Sequence, residues 1–214
     1  MSSNIELVKK KLAENPNNKK LIEELAFTFS DEIEKASKVN NLDKIEEIIS
    51  NYYEFIEKYP KSEALQKSYG YSILNVLPTF FTRFKPIKIK QIINTLREFS
   101  EKLDSLILKE ILAMILVNTI YDFSLINQIN SIHEFTLELN DLSRKYPKNE
   151  KIQTAVAKGL MNSTMFFIQK NDQEAAQTYY ENLLKIINTN PNTEMVDSRQ
   201  LIQLKEHFKE KQKI

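Results

Sequence analysis

Four prolines set the frame. Pro16, Pro60, Pro147 and Pro191 stand 44, 87 and 44 residues apart. The long gap is twice the short one, so a further unit without its proline is predicted to start near Leu103. Self-similarity at a fixed period marks a chain built by stacking one supersecondary unit. Two residues after each anchor stand Asn18, Ser62, Ser105, Asn149 and Thr193. All five are helix N-cap types, whose side-chain oxygens accept from the unpaired N–H groups of a first turn.

Each N-cap opens an apolar stripe of helical period. Five residues after the anchors come Leu21, Leu65, Leu108, Ile152 and Val196. In the second unit the stripe runs Leu65, Tyr69, Ile73, Leu77, Phe80. In the third it runs Leu108, Leu112, Leu116, Ile120, Phe123, and in the fourth Ile152, Val156, Leu160, Thr164, Phe167. Ten residues after the anchors come Ala26, Gly70, Ala113 and Ala157, then Leu201, which breaks the column. Small residues at one fixed place let helix backbones approach closely.

A second helix ends at each following proline, which offers no N–H to continue it. Counting back from Pro60 gives Phe55, Tyr52 and Ile48; from Pro147, Leu142, Leu139 and Phe135; from Pro191, Ile186, Leu183 and Tyr179. Turns within the hairpins are predicted near Asn40–Asp43, Phe84–Pro86, Ser124 and Asn171–Asp172. The units then cover about 16–59, 60–102, 103–146, 147–190 and 191–214, with a leading helix over 3–15 and a last one over about 194–211. The expected fold is all-α, about five hairpins and ten helices in a single domain over 1–214. Only two glycines and six prolines occur in 214 residues, too few turn residues for a sheet-rich fold.

The closing proline, the small residue ten positions on, and the large apolar residue before it (Leu25, Tyr69, Leu112, Val156) together resemble the tetratricopeptide-like family of α–α repeats. The resemblance covers nearly the whole chain. It implies a right-handed α–α superhelix whose first helices line a concave face that takes extended peptides or helices. The period departs from the family's usual unit of about 34 residues, and the extra length falls in both helices. A helical bundle without superhelical order is the alternative architecture.

On that implied face, fifteen residues after the anchors, stand Asp31, Asn75, Asn118 and Asn162. This offset lies about 200° around the helix from the buried stripe. An amide donates and accepts at once, so a column of them can hold an extended backbone whatever its sequence. Asparagine is also abundant in the chain, so composition alone can produce such a column. Beside it lie Phe27, Tyr71, Met114 and Lys158, then Leu74, Val117, Met161, Tyr121 and Met165. Apolar side chains on a second helix face need a cover. Methionine and aromatic residues suit an adaptable groove for an amphipathic helix. Burial by the chain's own fold, or in a homodimer, is the plainer account.

Arg83, Lys85, Lys88 and Lys90, with Phe84 among them, form the most basic patch. Cations with an aromatic suit phosphate and a stacked base. A solvated turn is the plainer account, and a net charge of +1 gives no global field toward nucleic acid. Only four arginines occur (Arg83, Arg97, Arg144, Arg199), few for bidentate phosphate capture. The basic end, Lys205 to Lys213, is balanced by Glu206 and Glu210.

Catalytic signatures are lacking. There is no cysteine, and His133 and His207 sit in no metal-ligand spacing. There is no Gly-rich phosphate loop. The pairs Glu23/Glu24 and Glu46/Glu47 are adjacent carboxylates on helix surfaces. Neither a cofactor nor an enzymatic activity is expected. The stretch from Met1 to Lys9 has no signal-peptide core, and Ile111 to Tyr121 is too short to span a bilayer. With no cysteine, a cytoplasmic protein is expected. The expected function is non-enzymatic binding of another protein or peptide on the first-helix face. Nucleic-acid association through 83–90 and a homo-oligomeric structural role are the alternatives.

Overall fold

The computed structural model describes residues 4–83, 85–190 and 198–211. Every regular element among them is an α-helix: α1 (Asn4–Glu14), α2 (Lys19–Lys38), α3 (Leu42–Lys58), α4 (Glu63–Thr82), α5 (Pro86–Lys102), α6 (Leu106–Leu125), α7 (Ile129–Lys145), α8 (Glu150–Gln169), α9 (Gln173–Thr189) and α10 (Ser198–Lys211). First helices α2, α4, α6 and α8 each have 20 residues. Second helices α3, α5, α7 and α9 each have 17. The helix starts repeat the 43–44-residue period of the sequence.

Local bonds explain the boundaries. Asn18 Oδ1 accepts from the N–H groups of Lys20 and Leu21, and Ser62 Oγ from that of Leu65. Ser105 Oγ accepts from Leu108 N–H and Asn149 Oδ1 from Ile152 N–H. The cap at Thr193, with Pro191 and Val196, lies outside the described residues, as does the start of the final helix expected from 194.

The turns inside the hairpins share one device. Asn40, Asn127 and Asn171 adopt left-handed backbone, with φ of 53°, 55° and 57°. Asparagine tolerates that region, and a residue there ends a helix by letting the chain bond back on itself. The N–H groups of Asn41, Lys85, Gln128 and Asp172 return to the carbonyls of Ala36, Phe80, Phe123 and Phe167. Phe84, the equivalent of Asn40, lies outside the described residues. The third turn comes later than the sequence suggested, because α6 runs through Ser124 to Leu125.

The unit without a proline stops its helix differently. Asp104 takes φ 45°, and Ser105 N–H bonds back to Ser100 O at 3.0 Å. Lys109, itself buried, reaches Asp104 at 2.5 Å. Inside α4, Pro78 is carried through on the exposed side of the helix.

The chain divides into two compact units, Met1–Leu112 and Ala113–Ile214, with α6 running across the division. In the first unit α1 packs on α2, α2 on α3 and α4, and α4 on α3 and α5. Its centre is a run of rings: Phe29 stacks on Tyr52 at 4.4 Å, Tyr52 meets Tyr69 edge-on at 5.4 Å, and Tyr69 meets Phe99 edge-on at 5.8 Å. A β-carbon on Gly70 would fall 2.7 Å from Ile111 Cδ1, so the small-residue column sets a close helix approach there. In the second unit α8 packs on α7 and α9. A β-carbon on Gly159 would fall 2.3 Å from Leu139 Cδ1.

Buried glutamines tie first helices to the preceding turn. Gln66 Nε2 donates to Pro60 O, and Gln66 Oε1 accepts from Ser105 Oγ, both at 2.6 Å. Gln153 Nε2 donates to the carbonyls of Ser143 and Tyr146, and its Oε1 accepts from Ser143 Oγ. Lys109 holds the same repeat position in the third unit.

Candidate functional site

In the first unit a groove of about 600 Å³ runs between α2 and α4. Tyr71 and Asn75 of α4 line it, facing Glu34 of α2. Its base is a seam of hydroxyls. Ser30 Oγ bonds Ser68 Oγ at 2.5 Å and Ser72 Oγ at 2.8 Å, and Ser37 Oγ bonds Thr79 Oγ1 at 2.7 Å. Ser68 also donates to Ala26 O, next to the buried Tyr52 hydroxyl, which donates to the same carbonyl. Short side chains that satisfy each other let α2 and α4 lie close without burying an unpaired hydroxyl.

In the second unit the corresponding space between α6 and α8 is a groove of about 250 Å³. Met114, Val117 and Asn118 of α6 face Lys151, Ala155 and Lys158 of α8. Its polar lining includes two lysines and the Asn118 amide.

The structure therefore gathers the candidate residues into two places. Tyr71 and Asn75 share the α2–α4 groove, and Met114, Asn118 and Lys158 share the α6–α8 groove. Asn75 and Asn118 are exposed, as the 200° offset requires. Asn162 is half-buried and lines neither groove. Asp31 is half-buried and held by Lys35 of its own helix at 2.6 Å, and that carboxylate with Glu32 raises the Lys35 pKa. Val117 and Met161 are buried and Leu74 and Met165 half-buried, so the fold covers part of this second apolar face. Phe27, Tyr71 and Tyr121 stay 75, 45 and 55 % exposed.

The basic segment is less free than its composition suggests. Lys88 of α5 bonds Glu46 of α3 at 2.6 Å. Arg83 and Lys85 are exposed at the end of α4 and the start of α5, and Lys90 is half-buried. The interleaved Phe84 lies outside the described residues.

No group of three or more His, Asp or Glu able to hold a metal occurs among the described residues. His133 is engaged in the fold: its Nδ1 meets the Tyr179 hydroxyl at 2.5 Å, and its ring lies 4.4 Å from that of Phe167. Burial pushes the Tyr179 hydroxyl up to about 12. Among the described residues no helix is long and apolar enough to cross a membrane.

The fold and these grooves define an all-α protein whose hairpins recur at a fixed period and pack on their neighbours. No family model, no curated protein and no solved structure matches the chain.

Proposed function

We propose that this chain is a non-enzymatic, tetratricopeptide-like protein-binding module that takes a peptide or helix of another protein on the exposed side of its first helices. One observation carries the reading. In each unit an exposed amide stands one helical turn from an exposed large apolar side chain, along a groove between adjacent first helices: Asn75 with Tyr71, and Asn118 with Met114. The apolar groups favour a partner that covers them, and the amides can pair with its backbone. The reading takes the chain to act in the cytoplasm, which its lack of cysteine suits.

The test is affinity capture from native lysate, comparing wild type with an Asn75/Asn118/Asn162→Ala variant of unchanged helicity and melting. A protein enriched by wild type and lost by the variant supports the reading; undiminished capture by the variant removes the amides from it. The nucleic-acid alternative through Arg83, Lys85, Lys88 and Lys90 has less support, because Lys88 is already paired with a carboxylate. It predicts binding that falls steeply with salt. The homo-oligomeric alternative predicts a dimer in sedimentation at micromolar concentration.

A further inference from the structure

From residue 64 to residue 97 the chain has no acidic residue and six basic ones, in a protein with 29 acidic residues in all. Four of the six, Arg83, Lys85, Lys88 and Lys90, fall at the turn between α4 and α5. The structure puts a second turn beside this one. Ser37 at the end of α2 bonds Thr79 near the end of α4, and Glu46 near the start of α3 bonds Lys88 in the first turn of α5. The α2–α3 turn and the α4–α5 turn therefore lie next to each other at one end of the first unit.

Each turn exposes a large aliphatic side chain, Val39 at 73 % and Ile87 at 74 %. Ile87 is the second residue of α5, and the second residues of α3, α7 and α9 are Asp43, Asn130 and Glu174. A helix start favours such polar and acidic side chains. Isoleucine there buries little in the fold, and the lysines around it oppose the helix dipole. The fold gains nothing from this arrangement, and an apolar tip among cations needs a cover from outside.

The cations at this end differ in how far they are engaged. Arg83 and Lys85 are exposed. Lys88 is held by Glu46, and Lys90 is half-buried. On the neighbouring turn Lys38 is exposed and bonds Glu34, Glu47 is held by Lys44, and Asp43 is an exposed carboxylate.

We propose that this end of the first unit docks on the surface of an anionic lipid bilayer. Val39 and Ile87 enter the boundary between headgroups and acyl chains, while Arg83 and Lys85 meet the headgroup anions. The aliphatic side chains decide for a bilayer over a nucleic acid. They have no π-face on which a base can stack, and a bilayer takes them out of water. This surface is separate from the first-helix grooves and does not depend on the protein-binding reading.

The experiment sediments the full chain with vesicles of phosphatidylcholine alone, or of phosphatidylcholine with about one third phosphatidylserine. The chain should pellet with the anionic vesicles and stay in solution with the neutral ones. Val39→Asn with Ile87→Asn keeps every charge and should weaken binding about tenfold. Arg83→Gln with Lys85→Gln should weaken it about tenfold or more. All four positions are exposed, so the melting temperature should hold in both variants. The chain has no tryptophan, so Ile87→Trp gives it a single indole, whose emission should shift to shorter wavelength on the anionic vesicles. No pelleting with anionic vesicles overturns the proposal, as does equal pelleting with neutral ones. An unshifted indole, or undiminished binding by the Val39/Ile87 variant, overturns it equally. Salt-sensitive binding of single-stranded RNA that this variant retains, with no vesicle binding, gives the cations to nucleic acid instead.

Discussion

Replacing Gln153 by methionine tests how the repeats are fastened. Gln153 is 1 % exposed, and methionine keeps its length and much of its volume. The substitution removes two donated bonds and one accepted bond. The Ser143 carbonyl suffers most. It lies in the last turn of α7, where the residue four positions on is Pro147, which has no N–H to give. Gln153 supplies the donor that the proline lacks, at 3.0 Å. An orphaned buried carbonyl costs about 1–3 kcal/mol. The Tyr146 carbonyl keeps the Asn149 N–H, so its loss is smaller. The Ser143 hydroxyl can turn to its own helix, and the methionine regains some apolar burial. The net loss is about 2 kcal/mol, on the order of thirtyfold in the folding equilibrium. Urea unfolding followed by circular dichroism should show a midpoint lower by roughly 1 M at an ordinary denaturant slope. The double variant Ser143→Ala/Gln153→Met should lose less than the sum of the single losses, by at least about 0.5 kcal/mol. A single-variant loss below about 0.5 kcal/mol, or strict additivity, would refute the fastening argument.

Gly70→Ala places a methyl against Ile111, whose Cβ is itself only 3.3 Å away, so no rotamer change relieves the contact. Overpacking of about 1–3 kcal/mol against a helix-propensity gain of about 1 predicts a net loss near 1 kcal/mol, read from urea midpoints. Pro78→Ala returns an N–H to the exposed interior of α4 and should raise stability by about 1–3 kcal/mol; a melting temperature at or below wild type would contradict this. Burial raises the hydroxyl pKa of Tyr52, Tyr69 and Tyr179, the last to about 12. The unfolded chain releases these protons first, so stability is full below pH ~10 and falls as pH rises toward 12. Phenolate absorbance of these three should then appear together with loss of helicity, and titration ahead of unfolding would count against their burial.

The N-caps were legible in the sequence because capping is a bond across two or three residues. Asn18, Ser62, Ser105 and Asn149 need only their own first turns. The apolar pattern points to a third turn near Ser124, and it lies at Asn127, although Asn40, Asn127 and Asn171 recur at the repeat period and mark the left-handed position. Candidate sites were less legible. The offset from the buried stripe located exposed Asn75 and Asn118, but Asn162 at the same offset is half-buried. Helix geometry fixes a direction, and the neighbours met in that direction fix exposure.

The period, the helix ends and the buried stripes were determined by the sequence itself, because each rests on contacts within one or two helical turns. Other features were decided only by the tertiary structure. The hydroxyl seam joins residues 42 apart, and Gln66 reaches Ser105 across two turns of the fold. Tyr52, Tyr69 and Phe99, from three different helices, meet edge to edge in the core of the first unit. Each is an ordinary residue in the chain, and only the packing of helices far apart in sequence decides which of them meet.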